Sequence, residues 1–287
     1  MEQFKTYALM TGLTLLFIWF GNMIAGEMGM VMAFLAAAGM NFYAYYYSDK
    51  QVLKHYNAIA VTSKDAKGLY DIVFRLTKEA DLPMPALYII PDAQPNAFAT
   101  GRNYEHAAVA VTEGLLNLLN ENEIEAVIAH ELSHIKRYDM LIGTVAATIA
   151  GAIATLANMA MFTGGLSSRD EGKGVNPILM MVIMFVMPMA ATLIQMTISR
   201  NREFIADEGS AKMTKHPEWL QSALLKLENY AINGTIMPQA NEETAHMFII
   251  NPFAGKIFPF KQLFKTHPST EERIEKLEVL KSISHNV

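Results

Sequence analysis

Four long apolar blocks interrupt a chain that otherwise alternates polar and apolar residues as a water-soluble protein does. The first runs from about Thr6 to Ile24, with Lys5 before it, and the second from Met28 to Tyr47 after a short turn holding Gly26 and Glu27. The third covers Met140 to about Phe162 and the fourth Pro177 to Ile198. Helices of roughly 20 residues cross a hydrocarbon core of about 30 Å, so the pattern predicts two transmembrane hairpins. A removable leader competes for the first block, and the second block following so closely argues against it. A buried soluble hairpin is the alternative for the third and fourth. Gly143, Ala147, Gly151 and Thr155 form a small-residue stripe suited to close helix packing. Pro188 is a kink that a membrane helix accommodates. Tyr43, Tyr45, Tyr46 and Tyr47 read as an interfacial aromatic belt.

Between the blocks the periodicity changes. Residues Ser63 to Ala80 have helical spacing, with Ser63 as the candidate cap and Leu69, Ile72, Val73 and Leu76 on one face. Leu82-Pro83-Met84-Pro85 breaks that helix. Short strands are predicted over Ala86–Ile90, Asn96–Gly101 and Ala107–Thr112. The chain turns helical again from Glu113, and another helix starts near Glu121. The expected organisation is an N-terminal transmembrane hairpin (1–48), a first soluble part (49–139), a second transmembrane hairpin (140–199) and a second soluble part (200–287). Residues Asn233 to Phe264, with Pro238, Pro252, Gly255 and Pro259, read as loop around an apolar run Met247-Phe248-Ile249-Ile250.

The 287 residues are 52% hydrophobic yet 18% charged, consistent with soluble and membrane parts in one chain. A net charge of −5 gives no sign of nucleic-acid binding. One set of block ends carries Lys5, Lys50, Lys54, Lys136, Arg137, Arg200 and Arg202, and the opposite loops only Arg169 and Lys173. The positive-inside rule then puts both termini and both soluble parts in the cytoplasm. There is no cysteine, so disulfides, thiolate metal sites and cysteine nucleophiles are excluded. His, Asp and Glu remain as metal ligands.

They occur in a telling arrangement at His130-Glu131-Leu132-Ser133-His134. On a helix, positions four apart share a face, so the two imidazoles point at one ion while Glu131 handles a proton beside it. Two histidines do not complete a catalytic zinc site, which needs a third protein ligand and an open position. The best source is Arg202-Glu203-Phe204-Ile205-Ala206-Asp207, just past the fourth block. Glu203 and Asp207 share a face. One of them can bind the metal while the other accepts a hydrogen bond from a ligand imidazole. The alternative is a solvated helix face paired with Arg200 and Arg202. Asp139, five residues past His134, is a further candidate hydrogen-bond partner, or simply a solvated group.

Four motifs in one order, Asn96-Ala97-Phe98-Ala99-Thr100-Gly101, H-E-L-S-H at 130–134, R-E-F-I-A-D at 202–207 and T-H-P-S-T-E-E-R at 266–273, resemble the HtpX family of bacterial membrane zinc proteases, relatives of the CAAX prenyl proteases. The resemblance spans nearly the whole chain. It implies a mainly α membrane protein with four transmembrane helices and an α+β gluzincin-like zinc metalloprotease domain containing a small β-sheet. It implies one zinc ion per chain on His130, His134 and Glu203, Glu131 as catalytic base, and Asp207 behind the ligands. The expected reaction is attack of activated water on a peptide carbonyl. His267, ahead of Pro268 and the capping box Ser269-x-x-Glu272, is a candidate for oxyanion or substrate contact, a histidine of that kind lying near the transition state in relatives of the family. Asn96, at the start of a strand suited to peptide binding by β-augmentation, and Arg273 are candidate substrate contacts. A turn-shaping role competes for Asn96, and pairing with an acidic group behind the site for Arg273. Expected partners are membrane-protein or polypeptide substrates and the lipid bilayer, with quality control of damaged membrane proteins as the implied role and the bacterial inner membrane as its place.

Two other readings compete. An intramembrane site-2-type protease would bury the motif helix in lipid, but Lys136, Arg137, Glu121, Glu123 and Glu125 make that helix too charged. A zinc-binding scaffold without activity has no use for Glu131.

Overall fold

A computed structural model describes residues 2–146, 149, 200–233, 249 and 268–284. Most of the third and fourth apolar blocks, the 234–267 segment apart from Ile249, and His267 lie outside the described residues.

The first helix, α1 (Glu2–His55), is two helices folded against each other at Ala25-Gly26, where Gly26 adopts φ 58°. Only glycine takes that backbone cheaply. Next to the bend the arms nearly touch: a Cβ on Gly21 would stand 2.3 Å from the Gly29 carbonyl oxygen. Further out, Asn41 Nδ2 donates to Thr14 Oγ1 (2.8 Å) and to the Met10 carbonyl (3.2 Å). Tyr7 stacks with Tyr45. The first two apolar blocks therefore form a hairpin, and its second arm, Ala25–His55, is long and apolar enough to cross a membrane. Four spanning helices were expected, and this is the one among the described residues that has both the length and the hydropathy. The second arm does not stop near Tyr47. Nothing in Ser48-Asp49-Lys50 breaks a helix, and it runs to His55 before Asn57 turns left-handed at φ 52°.

A four-stranded sheet follows, in the order β1 (Ile59–Val61), β2 (Ala86–Ile90), β4 (Ala107–Thr112), β3 (Ala97–Gly101). The central β2–β4 pair is parallel and the outer pairs antiparallel. Three of the strands match the sequence reading; β1, only three residues long, carries too little pattern to be seen in it. Both faces of the sheet are covered. Leu87, Ala97, Ala99, Val109 and Val111 join the main core, while Ile90, Phe98, Ala108 and Ala110 meet Val52 and Leu53 of α1 and Tyr56 just past it. The period-two alternation of a strand sorts these residues between the two faces.

Helix α2 (Lys67–Ala80) buries Leu69, Ile72, Val73 and Leu76 as expected but begins four residues after Ser63. The Asp65 carboxylate accepts from Thr62 N–H and Oγ1, which fixes residues 62–65 as a turn ahead of the helix. After α3 (Glu113–Leu118), helix α4 (Glu121–Arg137) starts at a full capping box between Asn120 and Glu123 and ends at Tyr138, left-handed at φ 61°. Helical residues 139–146 then enter the apolar region, where Leu141, Val145 and Ile149 pack on Leu9, Leu13 and Ala44 of the hairpin. Helices α5 (Arg200–Thr214), α6 (Pro217–Asn233) and α7 (Thr270–Ser284) complete the main core around α4. The Ser269–Glu272 capping box forms in both directions, at 3.0 and 3.2 Å.

Candidate metal centre

Helix α4 carries both histidines of the motif and runs through the core: Val127, Ile128, Ala129 and Leu132 are fully buried. Helix α5 crosses it on a face of small residues. Gly209 and Ser210 meet Ser133 and Ala126 at close range, and Ser210 Oγ donates to the Ala126 carbonyl at 2.7 Å. A Cβ on Gly209 would lie 2.1 Å from Ser133 Oγ. This close approach lets a short glutamate side chain reach across to the histidines.

The result is a three-donor cluster of His130, His134 and Glu203, whose ligand atoms lie within 4.8 Å of one another. His130 Nε2 and His134 Nε2 are 3.2 Å apart, and each is 3.6 Å from a Glu203 oxygen. An ion bound at about 2.0–2.2 Å to tetrahedrally placed donors sets those donors about 3.4 Å apart. The residues present thus fit a small divalent cation, and neutral imidazole plus carboxylate is a donor set suited to one.

Each imidazole is oriented from behind. Asp207 Oδ1 is 2.9 Å from His130 Nδ1, and Asp139 Oδ2 is 3.3 Å from His134 Nδ1. These contacts place the N–H on Nδ1 and leave Nε2 as the donor atom. Burial disfavours a charged His130, but the carboxylates of Asp207 and Glu203 outweigh it and lift the imidazole to about 9 without a metal. Asp207 is itself buried, yet the Arg273 guanidinium holds its carboxyl below the usual range. Arg273 comes from α7 and is 1% exposed. Its Nε and Nη2 donate to the two Asp207 oxygens at 2.8 and 2.6 Å, and Nη1 donates to the Ile249 carbonyl at 3.0 Å. Its guanidinium therefore sits among ligand-supporting groups, in the acidic pairing that was the alternative to substrate contact.

Glu131 faces the sheet edge. Its Oε2 accepts from the Ala99 N–H at 2.9 Å, and burial raises its pKa against the pull of the two histidines. Asn96 is 2% exposed, just before β3; its Oδ1 accepts from the Ile249 N–H (3.3 Å), and its backbone is bonded to Thr112. The backbone N–H and C=O of one residue, Ile249, are thus held by Asn96 and Arg273. Sequence reasoning missed the Ile249 and Ala99 contacts, because backbone groups leave no residue-type signature. Gly209 was also missed, although a glycine inside a helix is a signal of close packing.

The chain is similar to known proteins. Residues 63–281 match Peptidase family M48. A Protease HtpX homolog of Sulfurovum sp. (strain NBC37-1) is 73% identical over 98% of this chain and 100% of its own length. One from Campylobacter hominis is 60% identical over 98% and 99%, and one from Ralstonia pickettii 50% over 95% and 94%. The crystal structure of S. mikatae Ste24p has the same fold at a TM-score of 0.52 and 17% identity, covering 96% of this chain; the chain spans 62% of that structure. The family implies a metal ion, for which His130, His134 and Glu203 are the candidate ligands. The chain belongs to peptidase family M48 and, within it, to the HtpX metalloproteases.

Proposed function

We propose that the ion is zinc, one per chain, and that the chain is an endopeptidase held in the bacterial inner membrane with its catalytic part and both termini in the cytoplasm, acting on misfolded or damaged membrane proteins. The observation that carries this reading is the three-donor cluster with a buried glutamate next to it in sequence. His130, His134 and Glu203 would hold the ion, and no thiolate competes, as the chain has no cysteine. When bound, zinc supplies Lewis acidity, making water acidic and a carbonyl electrophilic. The protein groups do the rest. Glu131, its Oε2 anchored by Ala99, accepts a proton from the attacking water and returns it to the leaving amine. Its raised pKa suits a group that must be protonated and deprotonated in one cycle. Asp207 and Asp139 keep the imidazoles in the ligating tautomer, and Arg273 balances Asp207. The edge of β3 that no described strand pairs, with Asn96 at its head, would offer a substrate backbone the hydrogen bonds other than the Ala99 N–H held by Glu131. His267 is proposed to contact the substrate carbonyl. The Lys and Arg asymmetry supports the cytoplasmic orientation, and the α1 hairpin supports anchoring.

The test is cleavage of an unfolded polypeptide by the detergent-purified protein, with bound metal measured in parallel. Glu203→Ala is expected to lose metal and cleavage together. Glu131→Gln is expected to keep metal and lose cleavage by several orders of magnitude. Full activity in Glu131→Gln would end the assignment.

A further inference from the structure

The strand that borders the metal centre stands on end above the apolar region, and its height there is measured twice. Just past the end of α1, Tyr56 packs on Phe98 near the start of β3, with ring centroids 5.5 Å apart. Ten residues earlier, on α1, Tyr46 lies under the Arg102 guanidinium, 5.3 Å away, just past the end of β3. Ten helical residues rise about 15 Å and four extended residues span about 13 Å. The strand therefore runs alongside the helix and descends towards the apolar hairpin.

Its lower end coincides with the border between polar and apolar chain in three segments. On α1 that border is Tyr46, Tyr47 and Lys50, with the Lys50 ammonium over the Tyr47 ring. After α4 it is Arg137 to Asp139, beyond which Leu141 and Val145 pack among Leu9, Leu13 and Ala44. At the β3–β4 turn it is Arg102 and Tyr104, and Tyr104 touches Tyr138 at 5.1 Å. Exposed tyrosines beside Lys and Arg at one level are the mark of a membrane–water interface. Glu131 meets β3 at Ala99, three residues or about 10 Å above Arg102. His134 lies four residues, about 6 Å along α4, above Tyr138. Both rulers put the reacting centre only 6–10 Å from the interface.

We propose that the site is a height gauge. A polypeptide laid on the edge of β3 that no described strand pairs leads straight into the bilayer, so the bonds cut are those about two to three residues from the end of a substrate's transmembrane segment. The substrate class is the unfolded juxtamembrane stretch of a membrane-anchored chain. This rests on the reading of the α1 hairpin as membrane-spanning and of the centre as a peptidase.

The experiment uses the full-length zinc-loaded protein, co-reconstituted in nanodiscs with a single-span substrate. The substrate's tail repeats one seven-residue unstructured unit six times, so every side-chain preference recurs at every height. Cut positions are read by mass spectrometry, beside the same repeats as a soluble peptide. The expected result is cleavage of the membrane-proximal unit at least tenfold over the third unit, while the soluble peptide is cut in all units. Equal cutting of all units in the anchored substrate overturns the gauge and leaves the peptidase intact. Failure to cut either substrate overturns the peptidase reading, and the gauge falls with it.

Discussion

Replacing Gly209 by alanine tests how the metal centre is built without touching any of its ligands. The new Cβ would sit 2.1 Å from Ser133 Oγ and 2.8 Å from Ser133 Cβ. The hydroxyl can rotate away, but Cβ is fixed by the α4 backbone, and carbon atoms prefer about 3.5–4.0 Å. Helix α5 must move off α4 by about 1 Å. Overpacking of this kind costs about 1–3 kcal/mol. Alanine returns about 1 kcal/mol of helix propensity, so the net loss of stability is about 0–2 kcal/mol. The centre is less forgiving. Glu203, six residues earlier on the same helix, has each ligating oxygen 3.6 Å from a histidine nitrogen, and a 1 Å shift there breaks the donor spacing. Metal affinity is expected to fall by about 10–100-fold, the cost of disturbing what positions a ligand. Competition with a fluorescent chelator gives the affinity, and a thermal melt of the metal-free protein gives the stability. Ser133→Gly in the same chain removes both contacts and is expected to restore affinity, whereas Ser133→Ala leaves the Cβ contact and restores little. If Gly209→Ala binds metal as tightly as wild type, or if Ser133→Gly fails to rescue it, close helix packing does not set the cradle.

Further predictions concern the groups behind the ligands. Arg273→Met strands the Asp207 carboxylate in the core, and a loss of about 3–5 kcal/mol is expected in denaturant or thermal unfolding. Asp139→Leu removes the partner of His134 Nδ1 and is expected to weaken metal binding about 10–100-fold, while Asp139→Asn, which can still accept from Nδ1, loses far less. Away from the centre, burial works against the charge on Glu123, but Lys226, Ser222 and the Asn120 N–H outweigh it and hold its pKa below the ordinary 4.5. That contribution is present above pH 4.5 and lost as pH falls through the lower folded value, so acid melts of Lys226→Met should begin destabilising at higher pH than wild type.

Much of this was legible in the sequence because it was written in periodicity and side-chain type. The hairpin, three strands, the start of α4 and its two histidines follow from apolar spacing, capping residues and the i, i+4 rule. Glu203 and Asp207 are visible as a pair four apart, but their division of labour came from resemblance. The structure shows the physical difference between them: Glu203 faces both Nε2 atoms, and Asp207 faces His130 Nδ1 and Arg273. What stayed hidden depends on atoms that every residue shares or on distances between remote segments. The Ala99 N–H that anchors Glu131 is a backbone group, and the bond from Arg273 to Asp207 joins residues 66 positions apart. The early start expected for α2 failed because Ser63 resembled a cap while Asp65 bonded Thr62 instead.

The separation of the centre's members along the chain also bears on how the protein is made. His130 and Arg273 meet across 143 residues, and Glu203 joins them from beyond the third and fourth apolar blocks. At about 5–20 residues per second, the ribosome needs about 7–30 s to pass from the first of these to the last. Until Glu203 is made, the nascent chain offers two imidazoles and a glutamate without the carboxylate that completes the candidate set, and until Arg273 is made it lacks the guanidinium that pairs with Asp207. A chain that stops before Glu203 therefore lacks one of the three candidate metal ligands, and one that stops before α7 leaves Asp207 without its guanidinium partner.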